Sequence, residues 1–289
     1  MTLFLKNSLV FCTIISIFFL FFFFVNKLIL DKKFESLAKN YPIIIMGDSQ
    51  IQRLPVNIFK EKSYNLANKA EHYFFTYNKL KKLLSHKDCN LKLVLIGISP
   101  HNFSPIYHKL IDLENKEGLY TLKNYAYFIN IFENQIFSLY DIISRKEFYQ
   151  GILKGPLKNK VVKSSLKNPN NKNILQSIDM YYSKHGLNKI TNNQTFYLKK
   201  IVNLCKKNGI KVTFLTTPSH RYFKQNIPQQ ELDKFYTIID DFNQIHHINF
   251  FEDSINDSLM SDGNHLNING AKFYSKLIFK KIIENEIIH

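Results

Sequence analysis

Three residues at opposite ends of the chain have the types that acyl transfer needs. Ser49 follows an apolar run in the stretch IIIMGDSQIQR, and Asp262 and His265 stand three apart in MSDGNHLNINGA. The reaction requires a serine oxygen, a base to take its proton and an acidic group to orient that base. Ser49 would attack, His265 would take the proton, and Asp262 would hold the imidazole in its productive tautomer and stabilise its cation. The plainer alternative makes Ser49 a turn serine and Asp262 with His265 the caps of the last helix, since Asp is a favoured N-cap. Gly-Asp-Ser alone is too short to choose.

Attack also builds a negative oxygen that needs donors aimed at it. The Ser49 amide, at a strand-to-helix turn, is one. A second amide from the segment Asn68 to Ala70, and a side chain from Ser99, His101 or Asn102, are the remaining candidates. Asp48 reads as a hydrogen-bonder to its own turn, and Asn65 as a residue fixing a loop near Ser49. Arg221 could bind an anionic substrate group or equally form a surface ion pair. His246 and His247 have no carboxylate or Cys/His partner at ligand spacing, so no metal or cofactor is expected.

These residues need elements to bring them together, and the hydrophobic pattern supplies them. Short apolar runs at Tyr41–Met46, Ser63–Leu66, Leu91–Ile98, Lys211–Thr216 and His247–Phe251 read as strands. Helical periodicity covers Tyr73–Ser85, Thr195–Asn208, Gln229–Gln244 and Ile268–Ile283, with Gly209 as a C-terminal stop. Strands separated by helices predict a parallel sheet covered on both faces. Ligands then bind beyond the carboxyl ends of the strands, where Ser, Asn, His and Asp residues gather. The alternation fails from about 103 to 194. There a Tyr/Phe-rich helical stretch (Tyr120–Phe148) precedes a Lys/Asn-rich loop (Leu153–Asn173), which reads as an insertion above the sheet.

GDS after the first strand, NLA after the second and DGNHLNINGA before the last helix resemble the motif blocks of the SGNH/GDSL hydrolase superfamily. The resemblance covers the two ends of the chain beyond its apolar leader, not the insertion. It implies a flavodoxin-like three-layer α/β/α fold, hydrolysis or transfer of acyl esters, and Ser49, His265 and Asp262 as the triad. Two positions depart from it. The second block reads Ala67-Asn68-Lys69-Ala70 without the usual Gly, and the third reads Gly97-Ile98-Ser99, with Asn102 three residues late. The stretch ISPHNF is similar instead to membrane-anchored relatives in teichoic-acid D-alanylation and exopolysaccharide acetylation. That likeness implies a catalytic domain outside the cytoplasm, an acylated envelope glycan as substrate, and a membrane-bound O-acyltransferase as a partner. A catalytically silent scaffold that binds glycan or such a transferase is the alternative.

The bulk properties agree with an anchored enzyme. Residues Asn7 to Asn26 carry no charge, and 20 residues at 1.5 Å each match a bilayer's hydrocarbon core. No small-residue cleavage pattern follows, so residues 1–30 read as an uncleaved anchor, 31–40 as a polar connector and 41–289 as the α/β domain. Flanking charges do not orient the anchor, because Lys6 opposes Lys27, Lys32 and Lys33. The net charge of +16 is nearly all scattered lysine, the only arginines being Arg53, Arg145 and Arg221. That composition argues against a nucleic-acid partner, which favours clustered arginine. Cys12 lies in the apolar segment, and the spacing of Cys89 and Cys205 requires no disulfide.

Overall fold

The computed structural model describes residues 2–57, 62–129, 136–155, 169–183 and 193–284. The chain opens with α1 (Thr2–Asn40), β1 (Ile43–Met46), α2 (Ser49–Gln52), β2 (Ser63–Asn65), α3 (Tyr73–Leu84) and β3 (Leu93–Gly97). The insertion follows, with α4 (Pro105–Lys109), α5 (Lys116–Tyr125), α6 (Leu139–Ile143), α7 (Lys146–Lys154) and α8 (Asn171–Tyr182). Then come α9 (Asn193–Lys207), β4 (Lys211–Thr216), α10 (Arg221–Asn226), α11 (Gln229–Asp240), β5 (His246–Asn249) and α12 (Ile268–Glu284).

The five strands pair in parallel in the order β2-β1-β3-β4-β5. This is the doubly wound order of flavodoxin-like sheets, whose direction of winding reverses between β1 and β3 and opens a crevice at their carboxyl ends. Ser49 follows β1 and Ser99 follows β3, so both stand at that reversal.

Alternation along the strands builds two cores. Ile44, Met46, Val94, Ile96 and Phe214 face a layer made by α1, α3, α9 and α11, through Phe34, Leu80, Leu198, Ile201 and Phe235. Ile43, Ile45, Leu93, Leu95, Leu215 and Ile248 face the opposite way onto α12. Ala271, Tyr274, Ile278 and Ile282 supply that helix's contact stripe, at the three- and four-residue spacing of one helical face. β1 and β3 are fully covered, and each buried Ile or Leu contributes about 2 kcal/mol. A polar residue at any of these positions would break the layer.

The expected strands and helices appear with small changes at their ends. Residues 31–40 differ: they continue α1 rather than forming a connector, because Leu30, Phe34, Leu37 and Ala38 form a buried stripe against the first core. The Tyr120–Phe148 stretch is broken into α5, a short turn at Ala126–Phe128, α6 and the start of α7, with residues 130–135 outside the described residues. Residues 156–168 of the expected Leu153–Asn173 loop also lie outside them. The end of that loop begins α8, whose Asn-rich first turn disguised a helix capped by the Asn170 side chain.

One charged pair lies inside the first core. Lys79 and Glu71 form a fully buried ion pair. Lys79 Nζ also donates to Leu66 O at 3.1 Å, and Glu71 accepts from Thr76 at 2.8 Å and Tyr125 at 3.3 Å. Burial raises the Glu71 carboxyl and lowers the Lys79 amine, each opposed by the other's charge. Replacing such a pair with apolar residues is often neutral, whereas removing one partner strands a charge. Here the pair ties the insertion to the loop that follows β2.

Candidate active site

Gly47 has a φ of +142°, and a Cβ there would approach the Gly97 backbone at 3.2 Å. A glycine is therefore required where β1 turns sharply into α2. Asp48 caps α2 by accepting from the Gln50 amide at 3.0 Å, leaving Ser49 as the first helical residue. At the far end of the chain, a bridge between Met260 and Leu266, with Ser261 N donating to His265 O at 2.9 Å, folds SDGNHL into a tight loop. Asn267 caps α12, accepting from Asn269 N and Gly270 N at 3.0 Å each. A Cβ on Gly270 would meet Leu259 O at 2.1 Å. The Asn-x-x-Gly part of the closing block thus builds the helix start, and the capping task proposed for Asp262 and His265 belongs to Asn267.

Ser49 Oγ lies 2.8 Å from His265 Nε2. His265 Nδ1 lies 2.9 Å from Asp262 Oδ1 and 3.1 Å from its Oδ2. Asp262 Oδ1 also accepts from His265 N at 2.9 Å and Asn264 N at 3.1 Å. Burial pushes the Asp262 carboxyl up, but the hydrogen bond and charge of His265, the Asn264 amide and nearby Arg53 outweigh it and hold it at about 2. An ionised Asp262 accepts only, so Nδ1 carries the hydrogen and Nε2 presents its lone pair to the Ser49 hydroxyl. The arrangement can deprotonate Ser49 as its oxygen attacks an electrophilic carbon.

Behind Ser49 lies a sealed network around Asp48. Its Oδ2 accepts from His101 Nε2 at 2.6 Å, from Asn102 Nδ2 at 2.8 Å and from the Tyr107 hydroxyl. Ser99 Oγ sits 2.7 Å from His101 Nδ1 and donates to Asn102 Oδ1 at 3.0 Å. Burial opposes ionisation of Asp48, but His101, Tyr107 and the Gln50 amide reverse that effect and hold it well below the ordinary carboxylate range. Gln194 completes the assembly, donating to Asn102 O at 2.8 Å and accepting from Tyr73 N at 2.8 Å.

The other expected residues are distributed unevenly. Asn65 holds the turn after α2, donating to Ile51 O at 2.8 Å and Leu54 O at 3.1 Å. Asn68 N donates to Gly47 O at 3.0 Å, which sets Asn68 beside the Ser49 turn. Its side chain is buried, and Nδ2 has no partner. An orphaned buried donor costs about 1–3 kcal/mol, which a ligand could recover. Ala70 has a φ of +52°, the left-handed backbone that glycine adopts without strain. Arg221 opens α10 with its side chain exposed.

Sequence reasoning passed over Tyr181 and Arg53. Tyr181, from α8, packs on the His101 ring at 5.0 Å between centroids and accepts from Asn264 Nδ2 at 3.1 Å. It therefore bridges the Asp48 network and the loop that carries His265. Arg53 donates to Leu266 O at 3.0 Å and to Ser261. Its rarity in a lysine-rich chain was the only signal available.

No family model and no curated protein matches the chain. Solved structures do. A GDSL-like lipase from Bacteroides thetaiotaomicron is 12% identical with a TM-score of 0.45, covering 91% of this chain and 99% of that one. A protein named as an acylhydrolase from Bacteroides fragilis is 12% identical with a TM-score of 0.41, covering 84% and 86%. A protein named as a platelet activating factor from Streptococcus pneumonia is 9% identical with a TM-score of 0.41, covering 96% and 99%.

Proposed function

We propose that this chain is an SGNH-type serine acyl-ester hydrolase or O-acyltransferase, anchored in a membrane by α1. Its substrate is an acylated cell-envelope glycan on the outer side of the cytoplasmic membrane, and a membrane-bound O-acyltransferase is its partner. The observation that carries the chemistry is the continuous hydrogen-bond chain from Ser49 through His265 to Asp262. A silent scaffold would leave Ser49 and His265 apart, and their separation of 2.8 Å favours catalysis.

Ser49 Oγ attacks the acyl carbonyl carbon as its proton passes to His265 Nε2, and Asp262 stabilises the imidazolium. The tetrahedral oxyanion is met by the Ser49 amide and by Asn68 Nδ2, the buried donor without a partner. Collapse expels the alcohol, which takes the proton from His265 and leaves an acyl-Ser49 ester. Water or a sugar hydroxyl, deprotonated by His265, then attacks that ester and frees Ser49. Ser49→Ala is expected to abolish labelling by a fluorophosphonate and to lower turnover of p-nitrophenyl acetate by at least about 10⁴-fold. Unchanged turnover together with no label on the native Ser49 would sink the proposal.

A further inference from the structure

The direction in which α1 leaves the sheet constrains where the site lies relative to a membrane. Only Tyr41 and Pro42 separate α1 from β1, and Tyr41 N donates to Leu37 O at 3.1 Å. So short a connection between packed elements reverses the chain, and β1 runs back alongside α1. Contacts along α1 follow the same direction. Ala38 O accepts from Asn90 N at 2.9 Å, just ahead of β3 and so at the amino edge of the sheet. Phe34 meets Phe128 at 5.6 Å, and Phe128 leads through Tyr125 to Phe75, stacked at 4.3 Å in the first turn of α3. That turn lies at the carboxyl edge, where Tyr73 OH donates to Gly97 O at 2.7 Å. Farther toward its N-terminus, α1 meets the insertion. Asn26 Nδ2 donates to Ile152 O at 3.0 Å, Phe23 stacks on Tyr127 at 5.6 Å, and Phe19 packs on Tyr149 at 5.2 Å.

The exposed apolar residues of α1 run from Leu3 to Ile29, beyond the carboxyl edge and on the side that bears Ser49. Beside them, α6 and α7 expose Leu139, Tyr140, Ile143, Tyr149 and Leu153, with Tyr140 75% exposed. Tyr149 OH donates to Ile143 O at 2.9 Å, joining the two helices into one surface. The uncharged segment ends at Asn26, and Phe19 lies roughly 10 Å deeper along the helix at 1.5 Å per residue. That is about the depth to which amphipathic interfacial helices sink, and tyrosine is enriched at this level.

From this geometry we infer that α6 and α7 lie in the lipid interface, and that the carboxyl edge of the sheet faces the bilayer, so that Ser49 meets acyl groups presented at headgroup level. The inference rests on the membrane-spanning role of α1. A bilayer is the occupant that the apolar face of α1 and the apolar face of α6–α7 share.

The test uses the full chain in phosphatidylcholine/phosphatidylglycerol nanodiscs, with Cys12→Ser and Cys89→Ser as background. Spin labels are placed singly at Phe11→Cys, Tyr140→Cys, Leu153→Cys and Tyr236→Cys. Oxygen should relax the labels at 11, 140 and 153 more strongly than a water-soluble nickel chelate, with the reverse at 236. Strong nickel access at 140 and 153 with a lipid signal at 11 overturns the inference and leaves the anchor standing. A water signal at 11 overturns the anchor and the inference with it. Labels at 140 and 153 shielded from both agents indicate a protein contact and also overturn it. None of these readouts depends on catalysis. As a second arm, Tyr140→Glu with Ile143→Glu should lower turnover of nanodisc-borne p-nitrophenyl palmitate at least tenfold, with p-nitrophenyl acetate unchanged. Equal turnover of both esters by the variant would count against the inference.

Discussion

Two serine–histidine–aspartate sets stand among the described residues, and they differ in what surrounds them. In the first, Asp262 grips His265 Nδ1 and leaves Nε2 to Ser49. In the second, Asp48 grips His101 Nε2 and leaves Nδ1 to Ser99. Side-chain exposure separates them: 13% and 38% for His265 and Asp262, against 3% each for His101 and Asp48. Ser99 is further engaged with Asn102, while Asp48 has no accessible face. The same three residue types therefore make a more exposed set in one place and, in the other, a sealed set whose polar atoms are matched by protein. The sealed set sits directly behind the other, because Asp48 and Ser49 are neighbours in the chain. Its hydrogen bonds hold the turn that presents Ser49.

The sharpest way to break this contrast is paired alanine substitution. Against the loss expected for Ser49→Ala, Ser99→Ala should change p-nitrophenyl acetate turnover less than about tenfold and cost about 1 kcal/mol of stability in urea unfolding. Equal losses from both would erase the distinction.

Next come the two carboxylates. Asp262→Asn should lower kcat by about 10⁴-fold, through the wrong tautomer of His265, and change stability by less than about 1 kcal/mol. Asp48→Asn should cost about 3 kcal/mol, because three side-chain donors converge on one buried oxygen. Acid unfolding carries the same asymmetry. Both folded-state values are depressed, so each group's stabilisation is complete above the ordinary carboxylate value of 3.8 and is lost as pH falls through the folded value. For Asp262 that value is about 2. Asp48→Asn should remove the larger share of the pH dependence below 3.8, measured by urea midpoints along a pH series.

A smaller effect tests the oxyanion donor. Asn68→Ala should lower kcat by about 10²–10³-fold with the thermal midpoint little changed, since its Nδ2 has no partner to lose. A fall in stability without a fall in kcat would make Asn68 a structural residue. Smallest of all, Ala70→Gly should stabilise the protein by about 1 kcal/mol by relieving its left-handed backbone, as read by urea unfolding.

Much of the sheet was legible because its strands are short, apolar and bounded by Gly and Pro, as at Tyr41-Pro42 and Gly47. The closing block was legible because its spacing encodes a local loop, with Asp262, His265, Asn267 and Gly270 bonding mostly within ten residues. The insertion was not. Its helices are short, α4 and α6 having five residues each, and their ends fall at caps such as Ser138 and Asn170. The roles of Asn68, Ser99 and Asn102 could not be separated either, since all three are small polar residues at strand ends. Ser99 and Asn102 turn inward to Asp48, and Asn68 keeps a free donor.

What the sequence determined by itself was a parallel α/β sheet, an apolar N-terminal helix, and Ser49, Asp262 and His265 as the residue types that acyl transfer would need. Those features follow from local periodicity and side-chain chemistry. The tertiary structure decided which serine faces a base at an accessible edge, that the segment 31–40 is core helix, and that α1 and β1 run in opposite directions. Such outcomes depend on contacts between distant residues, as with the 216 positions between Ser49 and His265. Burial, not residue type, then separates the more exposed triad from the sealed one.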